Sequence, residues 1–281
     1  MSAALVFDID HTLTIPDKPP TAAIAAALAR VRVPFALAAG SDLEMLEHRF
    51  IRRLHGLGLR ADFEAFLCNG TIRYHCHLGD ACTIELVRDF SLEVILGAAG
   101  HARLLATIDE ALRTFPLPAE IEVLPPDVAP RVRDRRAMLN VAPIGRLVAK
   151  GDPERDAAYD RSRRAFEAFD AASGYRDTVR AWLGPRLTAI HPGLVAKLGG
   201  RTSFDLNLRG EDKRYAVRTM LEEGADEVVY FGDALFPGGN DEAVLELRDE
   251  LPPAERGRIT AVRVDGPEDT AAKLAALGWL G

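Results

Sequence analysis

The stretch AALVFDIDHT, Ala3 to Thr12, joins a short apolar run to two carboxylates one residue apart. Four consecutive apolar residues, Ala4 to Phe7, predict a strand buried on both faces, with Asp8 falling at its carboxyl end. Open parallel sheets take ligands beyond the carboxyl ends of their strands, so Asp8 and Asp10 are delivered into the expected crevice. One carboxylate can attack phosphorus to give an aspartyl phosphate, and the other can serve as general acid and then general base. Two carboxylates and a phosphate repel one another in a dry cleft, so the pattern implies a hard divalent cation with oxygen ligands, for which Mg2+ fits best. A pair of solvated turn aspartates is the plainer alternative.

Outward from that stretch, further short apolar runs recur at Pro34 to Ala38, Glu64 to Cys68, Glu227 to Phe231 and Ile259 to Val264. Helical patterns lie between several of them. Thr21 precedes the alanine-rich AAIAAALARV, and Ser41 or Asp42 caps a stretch whose Leu43, Leu46, Phe50, Ile51 and Leu54 fall at helical spacing. Alternating strands and helices predict an α/β fold with a Rossmann-like parallel-sheet core. The middle of the chain differs: a helix pattern near His101 to Arg113, a strand-like Met138 to Val141 and a polar helix pattern near Glu154 to Ala171. It reads as an inserted α+β cap domain over 83–208, with the core formed by 1–82 and 209–281. Pro116, Pro118, Pro125, Pro126 and Pro130 argue against long continuous helices where they stand.

Two further motifs lie at strand ends. In AAGSD, Ala38 to Asp42, the Ser41 hydroxyl and neighbouring backbone N–H groups can hold phosphoryl oxygens at the start of a helix. An ordinary helix cap reads equally well there. Lys213 opens a helix in EDKRY, and FGDALFPGGND, Phe231 to Asp241, follows the last apolar strand but one. Lys213 would neutralise a phosphoaspartate, and Asp233 would complete a metal set of Asp8, Asp10 and Asp233.

Composition narrows the remaining classes. A formal charge of -7 with pI near 5.6 argues against a broad nucleic-acid surface, which needs clustered Lys and Arg. No apolar stretch is long enough for a membrane span, and the run before Asp8 is too short for a signal peptide. Cys68, Cys76 and Cys82 cannot all pair, so the expectation is a reducing cytoplasm without a disulfide framework.

DxDxT, then Ser after a strand, then Lys, then GD with a trailing ND resembles the haloacid dehalogenase superfamily. Within it, AAGSDLE, the NG turn at Asn69 and Gly70, MLNVAPIGR from Met138, GGRTSFDLNLRGEDKRY from Gly199 and GDALFPGGND resemble the eukaryotic-type phosphomannomutase family along most of the chain. The resemblance implies Asp8, Asp10, Ser41 and Lys213 as catalytic residues. It also implies cap residues Arg135, Arg146, Arg155, Ser203 and Asp205, with Asn240 of the trailing ND, as contacts for a small phosphorylated sugar. Interconversion of mannose 6-phosphate and mannose 1-phosphate, a hexose 1,6-bisphosphate activator and a homodimer through the cap are implied in the same way. A sugar phosphatase shares the first half-reaction and stays open as the alternative.

The residues support those roles independently. Arg131, Arg133 and Arg135 alternate along an extended segment, and an Arg fork grips phosphate in a bidentate way. Ser203 and Asp205 share a strand face suited to sugar hydroxyls. Some positions depart from the family pattern: His11 stands for its Gly, Asp17 for an Arg, Ala234 for a basic residue and Met45 for a Lys, with Lys18 as partial compensation. A zinc reading of His75, Cys76, His77 and Cys82 is disfavoured, because strand alternation puts Cys76 opposite the histidines. Trp182 and Trp279 are expected to be packing residues.

Overall fold

A computed structural model describes residues 2–16, 18–148 and 151–281. By its internal contacts the chain forms two compact units, 1–90 with 210–281, and an inserted 91–209.

The first unit opens on β1 (Ala3–Asp8), α1 (Ala22–Ala29) and β2 (Phe35–Ala38). Next come α2 (Leu43–Leu46), a π-helical turn Glu47–Ile51 and α3 (Arg52–Gly56), followed by β3 (Ala61–Leu67), β4 (Ile72–Leu78) and β5 (Cys82–Arg88). Thr21 caps α1 through its side chain, and Asp42, not Ser41, caps α2 by accepting from the Met45 N–H. The expected boundary at residue 83 needs correction. Strand β5 pairs antiparallel with β4 and so belongs to the core sheet, and the insertion begins at Ser91.

The inserted unit comprises α4 (Leu92–Thr114), β6 (Val132–Asp134), β7 (Leu139–Val141), α5 (Pro153–Ser173), α6 (Tyr175–Ile190), β8 (Leu194–Gly199) and β9 (Ser203–Leu208). Its antiparallel sheet has the order β6-β7-β9-β8. Among the described residues, the proline-rich stretch after Thr114 is free of helix until Pro153, as those prolines demand. Helix α6 was not anticipated; it tolerates Pro185 within it and packs on α4 and β8.

The chain then returns through α7 (Lys213–Glu222), β10 (Glu227–Gly232), α8 (Glu242–Glu250), β11 (Ile259–Arg263) and α9 (Pro267–Ala276). The core sheet has the order β11-β10-β1-β2-β3-β4-β5, parallel from β11 to β3 and antiparallel beyond. Alternate residues of β1 feed two apolar clusters. Leu5 and Phe7 pack with Ile24, Leu28, Phe50, Leu54 and Leu274, while Ala4 and Val6 pack with Val217, Met220, Val244 and Leu247. Both sheet faces are thus covered by helices, which is why the β1 and β10 runs lack polar alternation. Trp279 packs against the first cluster and Trp182 lies edge-on to Phe115, so both serve packing. No helix among the described residues is long and apolar enough to cross a membrane.

Candidate active site

The central strands converge on one spot. Phe7 pairs with Phe231 across β1 and β10, so Asp8 and Asp233 emerge side by side beyond the carboxyl ends of adjacent strands. The loop after Asp233 turns back to Asp241 at the start of α8, and Lys213 opens α7, whose first turn is capped by Asp212. Gly70 makes that placement possible. Its φ of +92° is the left-handed region, and a Cβ there would lie 2.8 Å from the Asp212 carbonyl oxygen and from Lys213 Cα. The NG turn therefore packs directly on the backbone that carries Lys213.

Lys213 Nζ donates to Asp8 Oδ1 and to Asp241 Oδ1, each at 2.6 Å, and its side chain is 0% exposed. Asp241 Oδ1 also accepts the Tyr230 hydroxyl at 2.5 Å, while its Oδ2 accepts the Ala234 N–H at 3.0 Å. Gly232 allows this crowding, because a Cβ on it would sit 2.4 Å from Asp241 Oδ2. Carboxylate oxygens of Asp8, Asp233 and Asp241 lie within 4.8 Å of one another. Burial pushes the Asp8 carboxyl well above the usual carboxylate range, against the pull of Lys213. Asp233 is raised by burial and by neighbouring Asp241. Burial pulls the Lys213 ammonium down, but Asp241 and Asp8 outweigh it and leave its pKa raised. Burial also lifts the Tyr230 phenol well above its ordinary value, with Asp241 adding to the effect. Three carboxylates crowd one ammonium here. The surplus negative charge and the all-oxygen donor set suit a hard divalent cation.

Asp10 stands apart from that cluster. It lies in the turn after β1, its side chain is 45% exposed, and its Oδ1 is 3.7 Å from Arg49 Nη2. Among the described residues, Asp10 Oδ1 and the buried Thr12 Oγ1 have no hydrogen-bond partner, so polar atoms of the motif remain to meet a ligand. Ser41 is buried three residues beyond Ala38, the β2 residue paired with Asp8. Asn240 is half-buried in the loop between Asp233 and Asp241. Sequence reasoning passed over Asp241, which looks like a helix cap, and Tyr230, which looks like a core aromatic.

In the inserted unit, Asn140, Ser203 and Asp205 form a second buried polar cluster. Asn140 Nδ2 donates to Asp205 Oδ1 at 2.7 Å and to Ser203 Oγ at 3.1 Å. Register aligns Arg133, Asn140, Asp205 and Lys197 in one row across the four strands. Arg133 lies within β6 and Arg135 just beyond it, buried. Arg146 sits in the loop after β7, its N–H bonded to the Pro130 carbonyl, and Arg155 lies in the first turn of α5. Asn140 was visible only as part of the quoted MLNVAPIGR.

A profile described as eukaryotic phosphomannomutase matches residues 24–278. Phosphomannomutase from Spinacia oleracea is 30% identical over 268 residues, covering 94% of this chain and 91% of its own. The chain belongs to the eukaryotic phosphomannomutase family. Phosphomannomutase from Arabidopsis thaliana is 29% identical over 288 residues, covering 97% and 95% of the two chains. Among solved structures, the IMP-bound, N-terminally truncated IMP-nucleotidase of Plasmodium falciparum has a TM-score of 0.63 at 11% identity, over 98% of this chain and 68% of that one. A haloacid dehalogenase-like hydrolase from Bacteroides thetaiotaomicron has a TM-score of 0.52 at 15% identity, over 99% and 100% of the two chains. At such identities the shared feature is the fold alone.

The departures from the phosphomannomutase pattern now have places. His11 takes a φ of 61°, the conformation in which the family's Gly carries no penalty, and it lies close enough to Asp233 to lower its pKa when charged. Ala234 offers its backbone N–H to Asp241 where the family has a basic side chain. Met45 donates its N–H to Asp42, and Lys18 is exposed. Asp17 lies outside the described residues. Cys76 is fully buried, and His75 and His77 face the other side, hydrogen-bonded to Glu64 and Asp62. Among the described residues, the group able to hold a metal ion is Asp8, Asp233 and Asp241.

Proposed function

We propose that the chain is a phosphohexomutase that interconverts mannose 6-phosphate and mannose 1-phosphate through a phosphoryl group carried on Asp8. The observation that carries this reading is the grip of Lys213 on Asp8 Oδ1, which leaves the carboxylate's second oxygen to attack phosphorus. Family membership over most of the chain supplies the substrate class.

In the cycle, the sugar hydroxyl of a hexose monophosphate attacks the phosphorus of phosphorylated Asp8. The new P–O bond forms to sugar, the P–O bond to Asp8 breaks, and Asp10 removes the hydroxyl proton. The resulting hexose bisphosphate turns round, Asp8 attacks the other phosphorus, and Asp10 returns its proton to the departing sugar oxygen. Ser41 and the amides beside it hold the transferring oxygens, and Lys213 offsets their charge. Asp8, Asp10 and Asp233 are the proposed Mg2+ set, although the acidic cluster itself is Asp8, Asp233 and Asp241 and Asp10 would have to join it from the turn after β1; Mg2+ held there would supply charge neutralisation of the transferring phosphoryl group. A hexose 1,6-bisphosphate is the proposed activator, since it can phosphorylate Asp8 at the start. Arg135, Arg146, Arg155, Ser203 and Asp205 of the inserted unit, with Asn240, are assigned to the sugar phosphate. A homodimer through the inserted unit and a cytoplasmic setting complete the proposal.

Ala234, standing where the family has a basic side chain, favours one competing reading, a magnesium-dependent sugar phosphatase in which water replaces the sugar hydroxyl. Phosphorus NMR separates the two. Purified protein with Mg2+, mannose 6-phosphate and a trace of glucose 1,6-bisphosphate should produce mannose 1-phosphate. Accumulation of inorganic phosphate alone would overturn the mutase in favour of the phosphatase.

A further inference from the structure

Asn140 has no part in the mechanism above, yet it joins Ser203 and Asp205 in the buried polar cluster of the inserted unit. We propose that Asn140 is the positioning residue that turns Asp205 toward a hydroxyl of the sugar, a role that rests on the proposed function and deepens it.

Strand register sets the cluster. In β7 and β9, Leu139 pairs with Leu206 and Val141 with Phe204 on one face, all four buried, while Asn140 pairs with Asp205 on the other. Along β9 the same parity puts Ser203, Asp205 and Asn207 on one face, which is polar although it is buried. Asn140 is 3% exposed and Asp205 9%. Polar groups sunk this far are destabilising unless they are paired.

The pairing has a fixed sense. Ser203 Oγ donates its single proton to the Gly199 carbonyl at 2.5 Å, and an ionised carboxylate accepts without donating. Toward Asn140 both neighbours are therefore acceptors, which places its amide nitrogen on Asp205 Oδ1 at 2.7 Å and on Ser203 Oγ at 3.1 Å. The same orientation leaves Asn140 Oδ1 buried without a hydrogen-bond partner among the described residues. An orphaned buried acceptor is a standing cost that Leu or Val at this position would avoid, so the residue's contribution lies in its amide nitrogen.

Gly199 completes the arrangement. A Cβ there would lie 2.7 Å from Asp205 Oδ1 and 2.9 Å from Oδ2, so the carboxylate packs directly over bare backbone. With Oδ1 held by Asn140 and the group resting on Gly199, Oδ2 is presented at a set angle to accept from a sugar hydroxyl. A carboxylate free to turn would have to be ordered by the substrate, which weakens binding.

The test is isothermal titration calorimetry of the full-length protein with mannose 6-phosphate, without Mg2+ so that no turnover follows binding. Asn140→Ala should weaken binding on the order of 10-fold, and Asp205→Ala by at least as much, the loss of a charge-assisted contact. The double variant should bind like Asp205→Ala alone, because Asn140 acts through Asp205. Asn140→Asp, which keeps the volume and exchanges the donor for a second carboxylate, should bind no better than Asn140→Ala. Wild-type affinity in Asn140→Ala, losses that add in the double variant, or no binding by wild type would each overturn the proposal. Should Asn140→Ala not fold, wild-type affinity in Asn140→Asp would overturn it. In steady-state assays with Mg2+, KM for mannose 6-phosphate should rise in Asn140→Ala with kcat changed less, and a fall confined to kcat would contradict the positioning role. Phosphorus NMR with Mg2+ separates this role from the reading it rests on. Wild type that makes no mannose 1-phosphate while the binding cycle holds removes the mutase, and mannose 1-phosphate from wild type with Asn140→Ala binding unchanged removes Asn140.

Discussion

At the residue scale, the arrangement turns on how a fully buried ammonium is held. Lys213 loses its hydration and keeps its charge because Asp8 and Asp241 both accept from Nζ at 2.6 Å. Asp241 in turn is fixed by the Tyr230 hydroxyl and the Ala234 N–H, so three donors orient one carboxylate that never meets solvent. Replacing Tyr230 with Phe removes one of them and nothing of the core volume. We expect a loss of about 1–3 kcal/mol in urea denaturation, the usual worth of a hydrogen bond to a charged group. Turnover should fall more than KM changes, because Lys213 loses its positioning while the sugar contacts are untouched. Wild-type turnover in this variant would show that Tyr230 only fills space.

At the scale of elements, the same lysine depends on a turn far from it in sequence. Gly70 adopts a left-handed backbone and touches Asp212 and Lys213, so Gly70→Ala must shift either the NG turn or the first residues of α7. The expected cost is about 1–3 kcal/mol in thermal or chemical unfolding, with turnover of the folded fraction falling further as Lys213 moves. Near wild-type stability and turnover would contradict this placement. Much of this architecture was legible beforehand. β1, β2, β3, β10 and β11 are short apolar runs because helices cover them, and Asp8 and Asp233 could be read at strand ends for the same reason. β4 and β5, IRYHCHL and CTIELVR, mix charged and apolar residues, since this antiparallel end of the sheet keeps a wetter face. Their pattern carries no strong apolar signal. Helix α6 was obscured by Gly184 and Pro185, ordinary helix breakers that tertiary packing overrides. Asp241 was illegible for another reason: it resembles a surface residue of a helix end, and its partners lie elsewhere in the chain. Contacts such as Tyr230 to Asp241 are set by the meeting of elements, which no local spacing records.

At the scale of the whole molecule, each unit contains a buried group that titrates late. Burial, with smaller contributions from Cys82 and Glu64, pushes the Cys76 thiol in the first unit from 9.0 up to about 12. Burial likewise raises the Tyr175 phenol in the inserted unit from 10.0 to about 12. Both folded values exceed the unfolded ones, so the unfolded chain releases these protons first. Their stabilising contribution is complete below about pH 9 and is lost as the pH rises toward about 12. Urea midpoints should therefore fall steadily above about pH 9, and Cys76→Ala should flatten that slope from its own baseline. A midpoint that stays level or rises would contradict the burial assigned to both groups. The central claim, that Asp8 is the nucleophile of this family fold, is tested most directly by trapping the covalent form. Protein incubated briefly with Mg2+ and glucose 1,6-bisphosphate, quenched in acid and digested, should carry a phosphoryl group on the peptide containing Asp8, released by hydroxylamine and absent in Asp8→Asn. Phosphate found on another peptide, or sustained turnover by Asp8→Asn, would contradict it.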